Sequence, residues 1–138
     1  MTTEPPPDGT AHAGRCLCGA IAYEVRGPLR SVVVCHCGEC RRWHGSAASF
    51  TSARREDLVV ADDRTLRWVE SPASRTQARR AFCDACGSSL FWAAPGRETI
   101  SIAAGTLDVP TGLVTTRHIY VADASDYEDL PPADGPEA

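Results

Sequence analysis

The sequence predicts a single all-β domain made of several small coiled antiparallel sheets, and three features of the chain support this prediction. Short stretches of alternating or continuous apolar residues recur along its 138 residues, which is typical of strands. Gly, Pro and Asp separate these stretches at short intervals, as expected for tight turns. One stretch, ECRRWHG at residues 39–45, has instead the composition of a helical turn.

Seven stretches are predicted to form strands, in the order in which they occur along the chain. The first, AIAYEV, alternates Ile21, Tyr23 and Val25 with small or polar residues, as in a strand with one buried face. The second, SVVVC, is a short apolar run that ends on a cysteine. The remaining five are DLVV, TLRWVE, SLFWA, ETISIAA and TRHIYV.

The composition divides the chain into one domain and two tails. Residues 1–13 and 131–138 are rich in Pro, Gly and small polar residues, which favours disorder. Residues 14–130 are too short for several domains and contain no repeat. No apolar run approaches the ~20 residues that a membrane span requires, and no signal peptide is found, so we expect a cytoplasmic protein that does not bind membranes.

The charge is distributed unevenly between the tails and the domain. The formal net charge is −4, but eight of the 18 acidic residues lie in the first eight residues or after residue 122. Because all 14 basic residues are arginines outside these segments, the body of the chain is basic. This favours a small anionic ligand over nucleic acid, which needs a concentrated basic stripe. The lack of lysine and asparagine excludes Schiff-base catalysis and a Cys-His-Asn triad.

The seven cysteines occur in three tight groups with the spacings C-x-C, C-x-C-x-x-C and C-x-x-C. An odd number of cysteines without a secretion signal argues against a disulfide framework, whereas these spacings are typical of metal sites. Two tetrahedral zinc sites need about eight ligands, and seven thiols are present. The sequence therefore predicts two zinc ions per chain, one in a closed four-cysteine site and one in a three-cysteine site.

Spacing alone leaves two assignments of the cysteines open. In one, the two C-x-x-C pairs share a metal as in a zinc ribbon, and three cysteines are left over. In the other, the cluster at residues 35–40 forms the three-cysteine site, and the first C-x-C shares a metal with the last C-x-x-C. The second assignment closes a loop of about seventy residues and would staple a domain whose core is small.

One histidine lies between two cysteines of the central cluster, and two others lie farther along the chain. Alternate side chains of an extended segment face opposite ways, so His36 is expected to face away from a metal held by Cys35 and Cys37. A packing role or a hydrogen bond behind the metal ligands is the expected function of His36. His44 and His118 are candidates for a distant fourth ligand, an acid–base group or simple packing.

Three charged residues adjoin the last cysteine of the central cluster. Arg41 and Arg42 follow Cys40 directly, so they are candidates for binding a ligand carboxylate or for offsetting an anionic metal centre. Two solvated arginines on a turn are the alternative interpretation. Glu39 is a candidate for proton transfer or an exposed acid without a role in chemistry.

Five motifs follow one another along residues 14–131: GRCLCGAIAYEV, CHCGECRRWHGS, RRAFCDACGSSL, AAGTLD and RHIYV…YEDLP. In this order they resemble the glutathione-dependent formaldehyde-activating enzyme family, which shares a domain with centromere protein V. The resemblance implies an Mss4-like β fold. It also implies a structural zinc on Cys16, Cys18, Cys83 and Cys86, and a catalytic zinc on Cys35, Cys37 and Cys40. One departure is Asp126, which stands where similar members carry a tryptophan.

The three-thiolate site determines the expected chemistry. A zinc ion held by three thiolates is a weak Lewis acid and favours a further thiol as ligand, which coordination deprotonates. We therefore expect a carbon–sulfur lyase that joins a thiol such as glutathione to formaldehyde or another small aldehyde, giving S-hydroxymethylglutathione with formaldehyde. The alternative is a non-catalytic zinc-binding interaction module. A zinc deaminase is excluded because its H-x-E and P-C-x-x-C motifs are not present.

Overall fold

The computed structural model describes residues 11–131, which form ten strands and one α-helix, so the all-β prediction is confirmed. The strands are β1 (His12–Arg15), β2 (Ala22–Val25), β3 (Val32–Cys35), β4 (Ala48–Arg54), β5 (Leu58–Val60), β6 (Leu66–Glu70), β7 (Arg79–Cys83), β8 (Ser89–Ala93), β9 (Thr99–Ala103) and β10 (Thr115–Ile119). The helix is α1 (Gly38–His44), at the predicted helical turn. Within the described residues, no helix has both the length and the apolar character needed to span a membrane.

Most of the predicted tail residues, 1–10 and 132–138, lie outside the described part of the chain. Strand β1 begins at His12, inside the segment that the composition assigns to the N-terminal tail. Each of the seven predicted strand stretches overlaps a strand. Strands β1, β4 and β7 were not among those seven predictions.

The strands form two sheets. The smaller sheet has the order β1-β2-β5, and the larger has the order β10-β3-β4-β9-β8-β7-β6. Neighbouring strands are antiparallel except β3 and β10, which are parallel. The parallel pair brings the C-terminal part of the chain beside the strand that ends on Cys35.

The two faces of the larger sheet pack against different parts of the chain. One face packs on the smaller sheet and forms the main core, whose buried side chains include Ile21, Tyr23, Leu90, Phe91 and Ile102. Paired residues of neighbouring strands point to the same face of a sheet. On the other face, the register aligns the pairs Cys35–Ala48, Val33–Phe50, Phe50–Ala103, Ser101–Trp92 and Trp92–Arg80. Helix α1 lies against this second face, where Cys40 packs with Phe50.

Helix α1 has clear start and stop signals. Cys37 is the N-cap, and its sulfur accepts a hydrogen bond from the Cys40 backbone N–H at 3.3 Å. The helix ends at Gly45, whose φ of 75° lies in the left-handed region that glycine tolerates best. The N-cap geometry therefore fixes the position of Cys37 relative to Cys40.

Candidate metal centres

The structure brings together four cysteines from the start of the domain and from the turn after β7. Each of Cys16, Cys18, Cys83 and Cys86 contributes a sulfur, and these sulfurs all lie within 4.8 Å of one another. The Cys16–Cys18 and Cys18–Cys83 sulfur separations are 3.6 and 3.9 Å. A tetrahedron with metal–sulfur bonds of about 2.3 Å has edges of about 3.8 Å, so these separations suit a tetrahedral metal.

Backbone and hydroxyl donors surround the sulfurs of this group. The Ile21 N–H lies 3.3 Å from the Cys16 sulfur, and the Ala20 N–H lies 3.5 Å from the Cys18 sulfur. Hydrogen bonding from Ser88 lowers the pKa of Cys86 to about 5. The Ala20 N–H acts in the same direction on Cys18, but burial and the neighbouring thiols raise the pKa of Cys18 to about 11. Donors of this kind stabilise thiolates, the form in which cysteine binds metals.

The second group consists of Cys35 at the end of β3, Cys37 at the N-cap of α1 and Cys40 within α1. Their three sulfurs also lie within 4.8 Å of one another. No further His, Cys, Asp or Glu side chain of residues 11–131 joins this set. The three-dimensional arrangement thus matches the second of the two assignments that spacing left open. Each group has the donors to hold a metal ion.

Arg80 is the residue near this group that the sequence analysis missed. It is only 5% exposed, and both terminal guanidinium nitrogens lie 3.6 Å from the Cys40 sulfur. A hydrogen bond from Cys35, together with the positive charge of Arg80, lowers the pKa of Cys40 to about 6. A buried guanidinium needs an anionic partner, and the Cys40 thiolate is in position to be that partner.

Arg80 is held in place by a chain of hydrogen bonds that returns to the metal-binding helix. Its Nε donates to the Ser71 hydroxyl at 3.1 Å, and that hydroxyl donates to the Glu39 carboxylate. The other Glu39 oxygen accepts from the Ala73 N–H at 2.8 Å. These contacts hold the pKa of Glu39 below its usual value, chiefly through Ser71. Glu39 therefore helps to position Arg80 through Ser71.

His36 points away from the three sulfurs, as the alternation of side chains predicts. It is 4% exposed, and its Nδ1 lies 2.6 Å from a Glu128 oxygen while its Nε2 lies 2.9 Å from His118 Nδ1. His118 is thus engaged with His36 and is not a fourth ligand. This network ties the C-terminal segment to the loop that carries Cys35 and Cys37.

His44 does not join the sulfurs either. Its ring packs edge-on against Phe50, with ring centres 5.3 Å apart. Burial, aided by the charge of Arg80, lowers the pKa of His44 to about 4. His44 is therefore a neutral packing residue at neutral pH.

The three-cysteine group opens into a cleft of about 950 Å³. Five arginines line this cleft: Arg30, Arg41, Arg75, Arg80 and Arg97. Of the two arginines singled out in the sequence, Arg41 lines the cleft, whereas Arg42 is exposed and is not part of the lining. Asp126 is also exposed and outside the lining. The volume is in the range of sites that enclose small-molecule ligands.

Two proteins are similar to this chain, one by its sequence and one also by its structure. An uncharacterized lyase of Schizosaccharomyces pombe is 30% identical over 82 residues, which are 59% of this chain and 57% of that protein. The chain thus spans somewhat over half the length of this relative. A crystal structure of a Rhodobacter sphaeroides protein is similar with a TM-score of 0.56 and 28% identity, covering 75% of this chain and 97% of that chain.

A model of the family described as "Glutathione-dependent formaldehyde-activating enzyme" matches residues 11–123. The match covers both cysteine groups and all ten strands. The two β-sheets and the two cysteine groups fit the Mss4-like fold. The chain therefore belongs to the glutathione-dependent formaldehyde-activating enzyme family.

Proposed function

We propose that the protein is a zinc-dependent carbon–sulfur lyase that joins a thiol, glutathione or a related molecule, to formaldehyde or another small aldehyde. The observation that carries this proposal is the set of three sulfurs facing a cleft, which no fourth ligand side chain of residues 11–131 completes. The family match and the lyase name of the S. pombe relative support the reaction class.

The donor sets fit zinc at both positions. Cys16, Cys18, Cys83 and Cys86 would hold a closed structural zinc, while Cys35, Cys37 and Cys40 would hold the second ion. Zinc at the three-cysteine position would supply a place where a substrate thiol binds as a thiolate at neutral pH. Four closely spaced thiolates with no exchangeable position suit a structural site, and three that face a cleft suit a reactive one.

The positive charge of Arg80 would compensate the net negative charge of a divalent cation bound by three thiolates. Three thiolates exceed the charge of a divalent cation, so a fourth, anionic ligand would be repelled. The guanidinium beside Cys40 offsets this excess, because it is buried and lies 3.6 Å from the sulfur. In this proposal Arg80 is a positioning residue that allows an anionic thiol to approach the centre.

The reaction that follows is an addition. The substrate sulfur forms a bond with the carbonyl carbon while the carbon–oxygen π electrons move to oxygen, and the oxygen takes up the proton that the thiol lost. The product from formaldehyde is a hydroxymethyl thioether, and the reverse reaction breaks the same carbon–sulfur bond. In this step the protein would hold the substrate thiol in place and keep it deprotonated.

The test begins with metal content. We expect about two zinc ions per chain, one of which is removed more readily by chelators because it faces the cleft. With cobalt in the labile site, glutathione should change the thiolate-to-metal absorption bands. The protein should also accelerate the addition of glutathione to formaldehyde above the uncatalysed rate, which must be subtracted. Cobalt bands that do not respond to thiol, with no acceleration, would contradict the proposal and leave a non-catalytic zinc module.

Substituting Arg80 should weaken the labile site without removing a ligand. In Arg80→Gln, we expect zinc affinity at this site to fall by roughly 10- to 100-fold, since hydrogen bonds to charged groups are worth about 1.5–3 kcal/mol. Competition with a chromophoric chelator measures this affinity. Arg42→Gln removes the same charge from an exposed position and should change little. Equal affinities in the two variants would show that Arg80 does not act on the centre.

A further inference from the structure

The cleft extends well beyond the three sulfurs. Its far end, lined by Arg30, Arg97 and Ser101, presents arginine and hydroxyl groups instead of thiols. Along β4, Phe50 and Ser52 lie two and four residues beyond Ala48, which pairs with Cys35. At about 3.4 Å per residue, these rows of the sheet lie about 7 and 14 Å from the row of Cys35. The far end of the cleft is therefore separated from the sulfurs by the length of a small extended molecule.

Arg30 is fixed at one side of this far end. Its backbone N–H donates to the Ser52 carbonyl at 3.0 Å. Its guanidinium donates to the carbonyls of Ser31 and Phe50, each at 3.1 Å. These two contacts use part of the guanidinium and leave further N–H groups available to the cleft that Arg30 lines.

Arg97 stands at the opposite side. Its guanidinium carbon lies 5.2 Å from the centre of the Trp92 ring, a cation–π contact that restricts its position. Ser101 pairs with Trp92 and with Ser52, so it lies between the two arginines, and it also lines the cleft. Among residues 11–131, no carboxylate forms an ion pair with Arg30 or Arg97.

We propose that Arg30 and Arg97, with Ser101 between them, form an anion subsite that binds a carboxylate or phosphate of the substrate. Two positioned guanidiniums without an acidic partner favour such a group, and arginine binds both groups well. The distance of about 7–14 Å along the sheet places the acidic group several bonds from the reacting sulfur or carbonyl. This inference rests on the proposed function for its assignment to a substrate, and it specifies the substrate as extended and acidic.

The test uses thiols that differ in length and in one charge. We would compare ω-mercaptopropionate, ω-mercaptohexanoate and ω-mercaptooctanoate with the matching ω-mercaptoalcohols, and measure binding from the cobalt absorption bands. We expect the two longer acids to bind about tenfold more tightly than their alcohols, and the shortest acid to show no such advantage. The double variant Arg30→Gln, Arg97→Gln should lose the advantage, whereas Arg42→Gln should keep it.

A second arm identifies which substrate carries the acid. With neutral mercaptoethanol as the thiol, kcat/KM for aldehydes with a distant carboxylate is compared with kcat/KM for uncharged aldehydes. An advantage that depends on Arg30 and Arg97 in this arm assigns the acidic group to the carbonyl substrate, and one confined to the thiol series assigns it to the thiol. Acids and neutral molecules that behave alike in both arms would overturn the anion subsite.

The subsite can also be separated from the proposed reaction. Adipate carries two carboxylates but no thiol, and it should raise the melting temperature of the wild-type protein and of Arg42→Gln more than that of the double variant. If thiols leave the cobalt bands unchanged, the proposed function fails, and the adipate result still decides the subsite. If adipate stabilises all three proteins equally, or none of them, the subsite fails whatever the thiol result.

Discussion

Cys83→Ala is expected to remove most of the stability of the domain. Cys83 is fully buried, and its sulfur joins a group that links the start of the fold to the turn after β7. A structural zinc contributes about 10–16 kcal/mol in small peptides, as much as a typical domain has in total. We expect the variant to be largely unfolded at room temperature, as measured by circular dichroism and urea titration of the zinc-loaded protein.

The matched control for Cys83→Ala is the same substitution at Cys37. Both remove one sulfur from a cysteine group, but Cys37 belongs to the group within residues 35–40 and closes no long loop. Cys37→Ala should therefore keep a cooperative unfolding transition. If Cys83→Ala unfolds at the same urea concentration as the wild type, the four-cysteine group does not hold the fold together.

Cys37→Ala is in turn expected to abolish catalysis while the fold persists. Its loss removes one of three sulfurs at the proposed reactive centre and also the N-cap of α1. A lost N-cap costs about 1 kcal/mol, which a folded domain tolerates. We expect the rate of the thiol–aldehyde addition to fall to the uncatalysed background and the zinc content to fall by about one ion per chain.

Cys37→Ser separates the two effects of this substitution. Serine caps helices well but is a poorer zinc ligand than cysteine, so stability should recover while activity should not. The readouts are the urea midpoint, the zinc content and the rate above background. A Cys37→Ala protein that retains wild-type activity would refute a catalytic role for this centre.

Strands with strong apolar patterns could be predicted from the sequence, whereas three strands with weak apolar patterns, β1, β4 and β7, could not. Strand β4 reads ASFTSAR, whose small and hydroxyl side chains resemble a loop, although it is a central strand of the larger sheet. Its signal was weak because burial there depends on neighbouring strands, which single-sequence patterns do not show. Strand β7 begins with Arg79 and Arg80, and the second of these is buried with Cys40 and Ser71 as its hydrogen-bond partners.

The cysteine ligands could be found from spacing because chelation requires closely spaced thiols. Which thiols share a site could not be found that way, since the four-cysteine group joins residues about seventy positions apart. Arg80 lies 40 residues from Cys40, and only the register of β7 with β8 brings it there. Arg42 adjoins the ligands in sequence, but the turn of α1 directs it to solvent. Proximity along the chain thus indicated Arg41, which lines the cleft, but not Arg80, which the larger sheet brings to Cys40.

Because the cleft and the main core lie on opposite faces of the larger sheet, substitutions can affect one of them without the other. Successive residues of a strand face opposite sides, so Phe50, Ser52 and Ser101 belong to the cleft face while Ala53 and Ile102 belong to the core. Substitution of Ser52 or Ser101 can therefore change the cleft face without altering the main core between the two sheets. Changes at these two serines are therefore expected to cost less stability than changes at Phe50, which packs against Cys40 and His44.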